Sequence, residues 1–182
     1  MAEQLPKLST EFREFLTDAH KLGYGAPEAN VTRTESGARI ISYQKDGWRY
    51  HDQYAGGVPF VGFEQVSVID PRDRNRWMPV WGMNYFGRIE DDSFTGRQLG
   101  DWLRLVLRDP DIRIPVRGPT LARKYGEEYQ FRSDGELEAF SATERILLDD
   151  RVVYTAQMIG GLINRKVIVE AEPQPWLEQE RK

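Results

Sequence analysis

From Ala38 onward the chain alternates with a period of two residues, and this constrains the fold more than any other feature of the sequence. Ile40–Lys45, Trp48–Ala55, Phe60–Ile69 and Trp77–Phe86 are rich in β-branched and aromatic residues, which suit a half-buried pleated surface. Asp46-Gly47 separates the first two segments, and both residue types tolerate the positive φ of a tight hairpin turn. The charged loop Asp70–Arg76 separates the last two, so four antiparallel strands are expected, preceded by a loop over Ala26–Gly37.

Helical spacing frames these strands. Between Ser9 and Leu22, the residues Phe12, Phe15, Leu16, Ala19 and Leu22 line one side of a helix, with Ser9 as N-cap and Gly23 as terminator. A second helix is expected from Thr95, with Gln98 completing a capping box and Leu99, Trp102, Leu103 and Val106 on one side, until Asp109-Pro110 stops it. Beyond it, Ile112–Val116, Glu127–Arg132, Glu138–Leu148 and Arg151–Ile163 read as strands. Phe60–Val66 and Phe140–Ile146 share the form F-x-x-x-E-x-[VI], and Val80–Ile89 is similar to Val153–Leu162. The expected fold is α+β, a pseudo-duplicate of two related helix-plus-four-strand antiparallel units packed either as two curved sheets or as one joined sheet. Residues 9–92 and 93–168 would form the units of one globular body, and residues 169–182, with Pro173 and Pro175, a mobile C-terminal tail.

Composition narrows the chemistry. The 182 residues include no Cys and two His, which excludes disulfides, thiolate nucleophiles and Cys-ligated metals. A net charge of −4 gives no field for nonspecific nucleic-acid or anionic-membrane binding. Neither a signal sequence nor an apolar run of membrane-spanning length is evident, so a soluble, cytoplasmic protein is expected. There is no nucleophile elbow, P-loop, dinucleotide fingerprint, H-E-x-x-H or EF-hand loop. No cofactor, metal site or catalytic residue is assigned. His20, at the end of the first helix, reads as an answer to the helix dipole, and Arg117, Arg123 and Lys124 as members of a basic loop.

Alternation also sorts the polar residues. Phe60, Gly62, Glu64, Val66 and Val68 share one strand face, as do Phe140, Ala142, Glu144, Ile146 and Leu148, which strands a carboxylate among apolar groups in each case. Such a group must be paired, hydrogen-bonded or protonated. Glu64 is therefore either a ligand-facing or general-base carboxylate, or a structural acceptor of backbone N–H groups such as those of Gly56-Gly57. Trp48, Tyr50, Asp52 and Tyr54 share a face from which His51 points away, and Trp81, Met83 and Tyr85 lie on a nearby strand. Aromatic faces with carboxylates suit a sugar, nucleoside or organic cation. The candidate ligand-binding set is Tyr50, Asp52, Tyr54, Glu64, Trp81 and Tyr85, with Glu144 and Tyr154 as second-unit counterparts.

The ordered motifs Y-x-D-x-Y-x-G (Tyr50–Gly56), F-x-G-x-E-x-V (Phe60–Val66) and V-W-x-M-x-Y-x-G (Val80–Gly87) resemble a prokaryotic domain family of unknown function, over about Phe12 to Leu162. Members often follow a helix-turn-helix module, so the resemblance implies a sensory or interaction role. The residues before Ser9 hold no such module, and a direct transcriptional role is not expected. The second unit departs from the motifs, with Ala142 in place of Gly62, Tyr154 of Trp81 and Ala156 of Met83. The leading expectation is a small-molecule binding or sensing module. One alternative is a small enzyme using Glu64 or Asp52 as acid or base for isomerisation or hydrolysis, and another is a protein–protein adaptor. The expected partner is a small molecule, not nucleic acid or membrane, with a homo-oligomer left open.

Overall fold

A computed structural model describes residues 7–26, 31–124 and 126–164. Helix α1 (Thr10–Leu22) begins where the Ser9 side chain accepts the Phe12 N–H, and Gly23 closes it by donating to Ala19 O. Five strands follow: β1 (Val31–Arg33), β2 (Arg39–Lys45), β3 (Trp48–Gly56), β4 (Phe60–Asp70) and β5 (Asp73–Ile89). Helix α2 (Gly96–Val106) carries the full capping box of Thr95 and Gln98. It is followed by β6 (Leu121–Lys124), β7 (Glu127–Glu136), β8 (Ala139–Leu148) and β9 (Arg151–Leu162).

All nine strands join one antiparallel sheet in the order β1-β2-β3-β4-β5-β9-β8-β7-β6. This corrects the expected pair of helix-plus-four-strand units. The reason lies in β5, whose 17 residues offer both edges for pairing. One edge binds β4, and the other binds β9 continuously from Trp81↔Leu162 to Ile89↔Tyr154, so the ladder never breaks into two sheets. Phe60–Val66 and Phe140–Ile146 are interior strands of that single sheet, and their likeness is the alternation that one buried face imposes on both. The tail expected at 169–182 lies outside the described residues.

Three local expectations also change. The stretch Ala26–Gly37, read as a loop, contributes the edge strand β1, which pairs with β2 from Val31↔Ile41 to Arg33↔Arg39. The Asp70–Arg76 loop shrinks to Pro71-Arg72, because Asp70 pairs with Asp73 and its carboxylate accepts the Arg72 N–H. Ile112–Val116 is not a strand. Pro110 and Pro115 remove ladder donors, and Ile114 N donates to Asp111 O in a turn that the Asp111 side chain reinforces by accepting the Arg113 N–H. That turned segment brings Arg117 into the interior, where it is 6% exposed.

The two helices cover one face of the sheet. On the α1 side, Phe12 meets Trp48 edge-on with ring centroids 5.5 Å apart, and Phe15 stacks on Tyr43 and Trp48. On the α2 side, Trp102 stacks on Tyr129, and its indole N–H donates to Glu127. Aromatic pairs of this kind add about 0.5–1.5 kcal/mol each beyond simple burial. The Asp46-Gly47 hairpin forms as expected, with φ of 48° and 80°. No described helix is long and apolar enough to cross a membrane.

Candidate functional site

The covered face does not close completely. Between the C-terminal end of α1, the inward side of α2 and strands β1 to β5 lies a cavity of about 520 Å³. Five of the candidate residues line it: Tyr50, Asp52, Tyr54, Glu64 and Tyr85. Trp81, Glu144 and Tyr154 do not. Trp81 is fully buried and donates its indole N–H to Leu137 O, while Glu144 and Tyr154 are buried on β8 and β9, outside the cavity lining.

Glu64 is 1% exposed, and its partners are side chains. His20 Nε2 lies 3.0 Å from Oε2, and Arg117 Nη1 donates to Oε1 at 3.2 Å. Both sequence-based structural readings are thereby corrected. Glu64 is not held by the Gly56-Gly57 backbone, and His20 faces a carboxylate because residue 20 lies on the buried stripe of α1 with Phe12, Leu16 and Ala19. Burial pushes the Glu64 carboxyl up, but the His20 and Arg117 interactions outweigh it and hold the group below its ordinary range.

Asp52 pairs directly with Glu64 across β3 and β4, so the two carboxylates share one wall. It accepts a hydrogen bond from Tyr85 OH at 2.6 Å. Burial first, and the charge of Glu64 second, raise Asp52 to about 7, against the opposing pull of Tyr85 and Arg117. Burial and the two acids also push the Tyr85 phenol well up, so it remains a donor. Gly62 makes this geometry available, because a Cβ there would stand 2.2 Å from Tyr85 Cζ. Gly62→Ala is expected to displace the Tyr85 ring from Asp52 and cost about 1–3 kcal/mol in urea unfolding. An unchanged midpoint would refute this close approach.

Arg117 ties the two buried glutamates together. Beyond its bond to Glu64, its Nε lies 3.9 Å from Glu144 Oε2, and its guanidinium sits over the Tyr85 ring at 4.9 Å. Burial opposes its charge, but Glu144 and Glu64 more than compensate and raise its pKa further. Glu144 in turn accepts the hydroxyls of Tyr129 and Tyr154 at 2.8 and 2.9 Å. Two buried nitrogens, His20 Nδ1 and Arg117 Nε, have no hydrogen-bond partner among the described residues, and both residues belong to the cavity wall.

The family with the description "Domain of unknown function (DUF5680)" matches residues 37–163. The chain belongs to the DUF5680 family. No curated protein and no solved structure matches it. The DUF5680 match spans β2 through β9 and so contains Asp52, Glu64, Tyr85 and Arg117, whereas α1 with His20 lies outside it. Among the described residues, no cluster of three or more His, Asp or Glu is placed to hold a metal ion.

Sequence reasoning missed His20 and Arg117, together with Arg39 and Arg104 on the cavity wall. One signal pointed to Arg117. Glu64 and Glu144 share the buried face of the sheet with no cation alternating beside them, so a positive charge had to arrive from outside the strands.

Proposed function

We propose that this DUF5680 chain is a small-molecule binding or sensing module whose ligand enters the cavity between the sheet and the two helices. The observation that carries the reading is the cavity itself, about 520 Å³, with Tyr50, Asp52, Tyr54, Glu64 and Tyr85 on its wall. Binding sites for small molecules commonly occupy 300–1,000 Å³ and combine apolar walls with a few fixed polar groups. Here the polar groups are held from behind: Asp52 by Tyr85, and Glu64 by His20 and Arg117. Such support fixes orientation before a ligand arrives and lowers the cost of binding.

Native mass spectrometry of protein purified from its host, joined with thermal scanning against a metabolite panel, tests the reading. A ligand present at 100 times its Kd stabilises by about 2.7 kcal/mol. For a chain of this size each kcal/mol moves Tm by roughly 2–4 °C. A clean mass together with no shift across the panel would overturn the proposal.

The pair Asp52 and Glu64 favours an enzyme as the second reading. Their environments drive two neighbouring carboxyls in opposite directions, Asp52 to about 7 and Glu64 below its usual value. A split pair of this kind supplies a proton donor and an acceptor together at neutral pH. In that case Asp52→Asn would abolish conversion of a bound compound while retaining its binding, and isomerisation or hydrolysis are the reaction types suited to one acid and one base.

A further inference from the structure

We propose that the cavity selects an organic anion, a small molecule with an apolar body and a carboxylate or phosphate group, and that Arg39, Arg104 and Arg117 set this preference. The inference rests on the binding reading above and adds the charge class of the ligand.

Aromatic residues beside carboxylates would ordinarily suggest an organic cation, but two of the lining rings, Tyr54 and Tyr85, already carry a guanidinium. The Arg117 guanidinium lies over Tyr85 at 4.9 Å, and the Arg39 guanidinium over Tyr54 at 5.6 Å. A cationic ligand stacking on either of these two rings would have to displace its guanidinium or accept repulsion from it. The acids offer it little in return. Glu64 is engaged by His20 and Arg117, and Asp52 is about half ionised at neutral pH. With Arg117 and Glu64 answering each other, Arg39 and Arg104 are the lining guanidiniums not committed to a buried carboxylate, and they face a partly protonated Asp52.

The three arginines come from separate elements and converge. Arg39 stands on β2 and donates to Gly56 O at 3.2 Å, Arg104 projects from α2 with its surface partner Asp101 at 2.9 Å, and Arg117 comes from the turned segment. Their fields meet at Tyr24, whose ring contacts Tyr54. Burial raises the Tyr24 phenol and the Asp52 charge adds to that rise, while Arg104, Arg117 and Arg39 pull it downward. Gly96, the first residue of α2, also lines the cavity, so the positive end of that helix dipole adds to the same field. Leu99 and Leu103 from α2, its C-cap Leu107 and Phe60 from β4 add apolar surface to the same lining for the body of the ligand.

A panel of ring compounds in matched triplets, each as carboxylate, carboxamide and amidine, separates the charge classes when titrated calorimetrically into the full chain. The expected result is a carboxylate that binds at least tenfold tighter than its amide and weakens as salt increases. Arg39→Gln and Arg104→Gln should each weaken that compound several-fold while lowering the ligand-free Tm by only a few degrees, the cost of the surface contacts they lose. An amidine that binds tightest, or a carboxylate and amide that bind equally, overturns the anion inference and leaves the binding reading standing. If no triplet member binds at millimolar concentration, both fail.

Discussion

Arg117→Met is expected to destabilise the protein by about 3–5 kcal/mol in urea unfolding, the loss typical when one partner of a buried ion cluster is removed. The guanidinium is the charge that Glu64 and Glu144 share, and those acids are 1% and 0% exposed. Without it, both carboxylates keep hydrogen-bond donors but lose their common countercharge. Protons then bind the folded variant more readily than the unfolded chain, so its stability declines as pH rises through the new, higher folded pKa values. The deficit should accordingly be smaller at pH 5 than at pH 8. Adding Glu64→Gln and Glu144→Gln to the variant should recover most of the loss. If the triple variant remains as unstable as Arg117→Met alone, the cost lies in packing the arginine stem and the charge argument is wrong. Arg117→Lys should recover only part, because a point ammonium cannot reproduce the two-sided reach of a planar guanidinium.

Asp52→Asn should have the opposite sign. A carboxyl raised from 3.8 to about 7 on folding stabilises the native state below the unfolded value and loses that contribution as pH rises through the folded one. The shift corresponds to roughly 4 kcal/mol against the charged form above pH 8. Asparagine keeps an oxygen to accept the Tyr85 hydroxyl and never ionises, so the variant should gain about 2–4 kcal/mol at pH 8.5 and close to nothing at pH 4. Glu64 acts on the other side. Its carboxyl is lowered on folding, so its contribution is present above the ordinary carboxylate range and is lost as the solution becomes more acidic. Wild-type stability should thus fall on both sides of a maximum, and Asp52→Asn should flatten only the alkaline side. Chemical denaturation at several pH values reads this directly, and an alkaline limb equally steep in the variant would assign it to another group.

The elements that form this site differed in how far sequence could reveal them. The strands β3 and β4 were readable because each side chain's face follows from a period of two, which put Tyr50, Asp52 and Tyr54 on one face and Glu64 on an apolar face of the next strand, and the register Asp52↔Glu64 brings the two sets together. Both helix starts were readable for a local reason too, since Ser9 and Thr95 satisfy amide donors within three residues. Sheet closure was not local. Whether β5 would leave one edge bare or pair it with β9 depends on residues far apart in sequence, from Trp81↔Leu162 to Ile89↔Tyr154, and no turn chemistry encodes it. Arg117 was hidden for a related reason: Pro115 and Gly118 mark a turn without stating which way an intervening side chain points. His20 sat in plain view on the apolar stripe of α1, but its partner on β4 lies 44 residues away.

The strand order has a consequence for how the chain assembles. Every paired neighbour in the sheet is also a neighbour in sequence, except β5 and β9. The hairpins can therefore zip from short loops, whose closure costs little entropy, while one seam carries the long-range closure of the whole sheet. Arg117 lies in the chain between the two strands of that seam, and its carboxylate partners stand on β4 and β8, on opposite sides of it. The three charges meet only where the seam is closed, so the ion cluster acts as a clasp that ties the two halves of the sheet across their one non-sequential join.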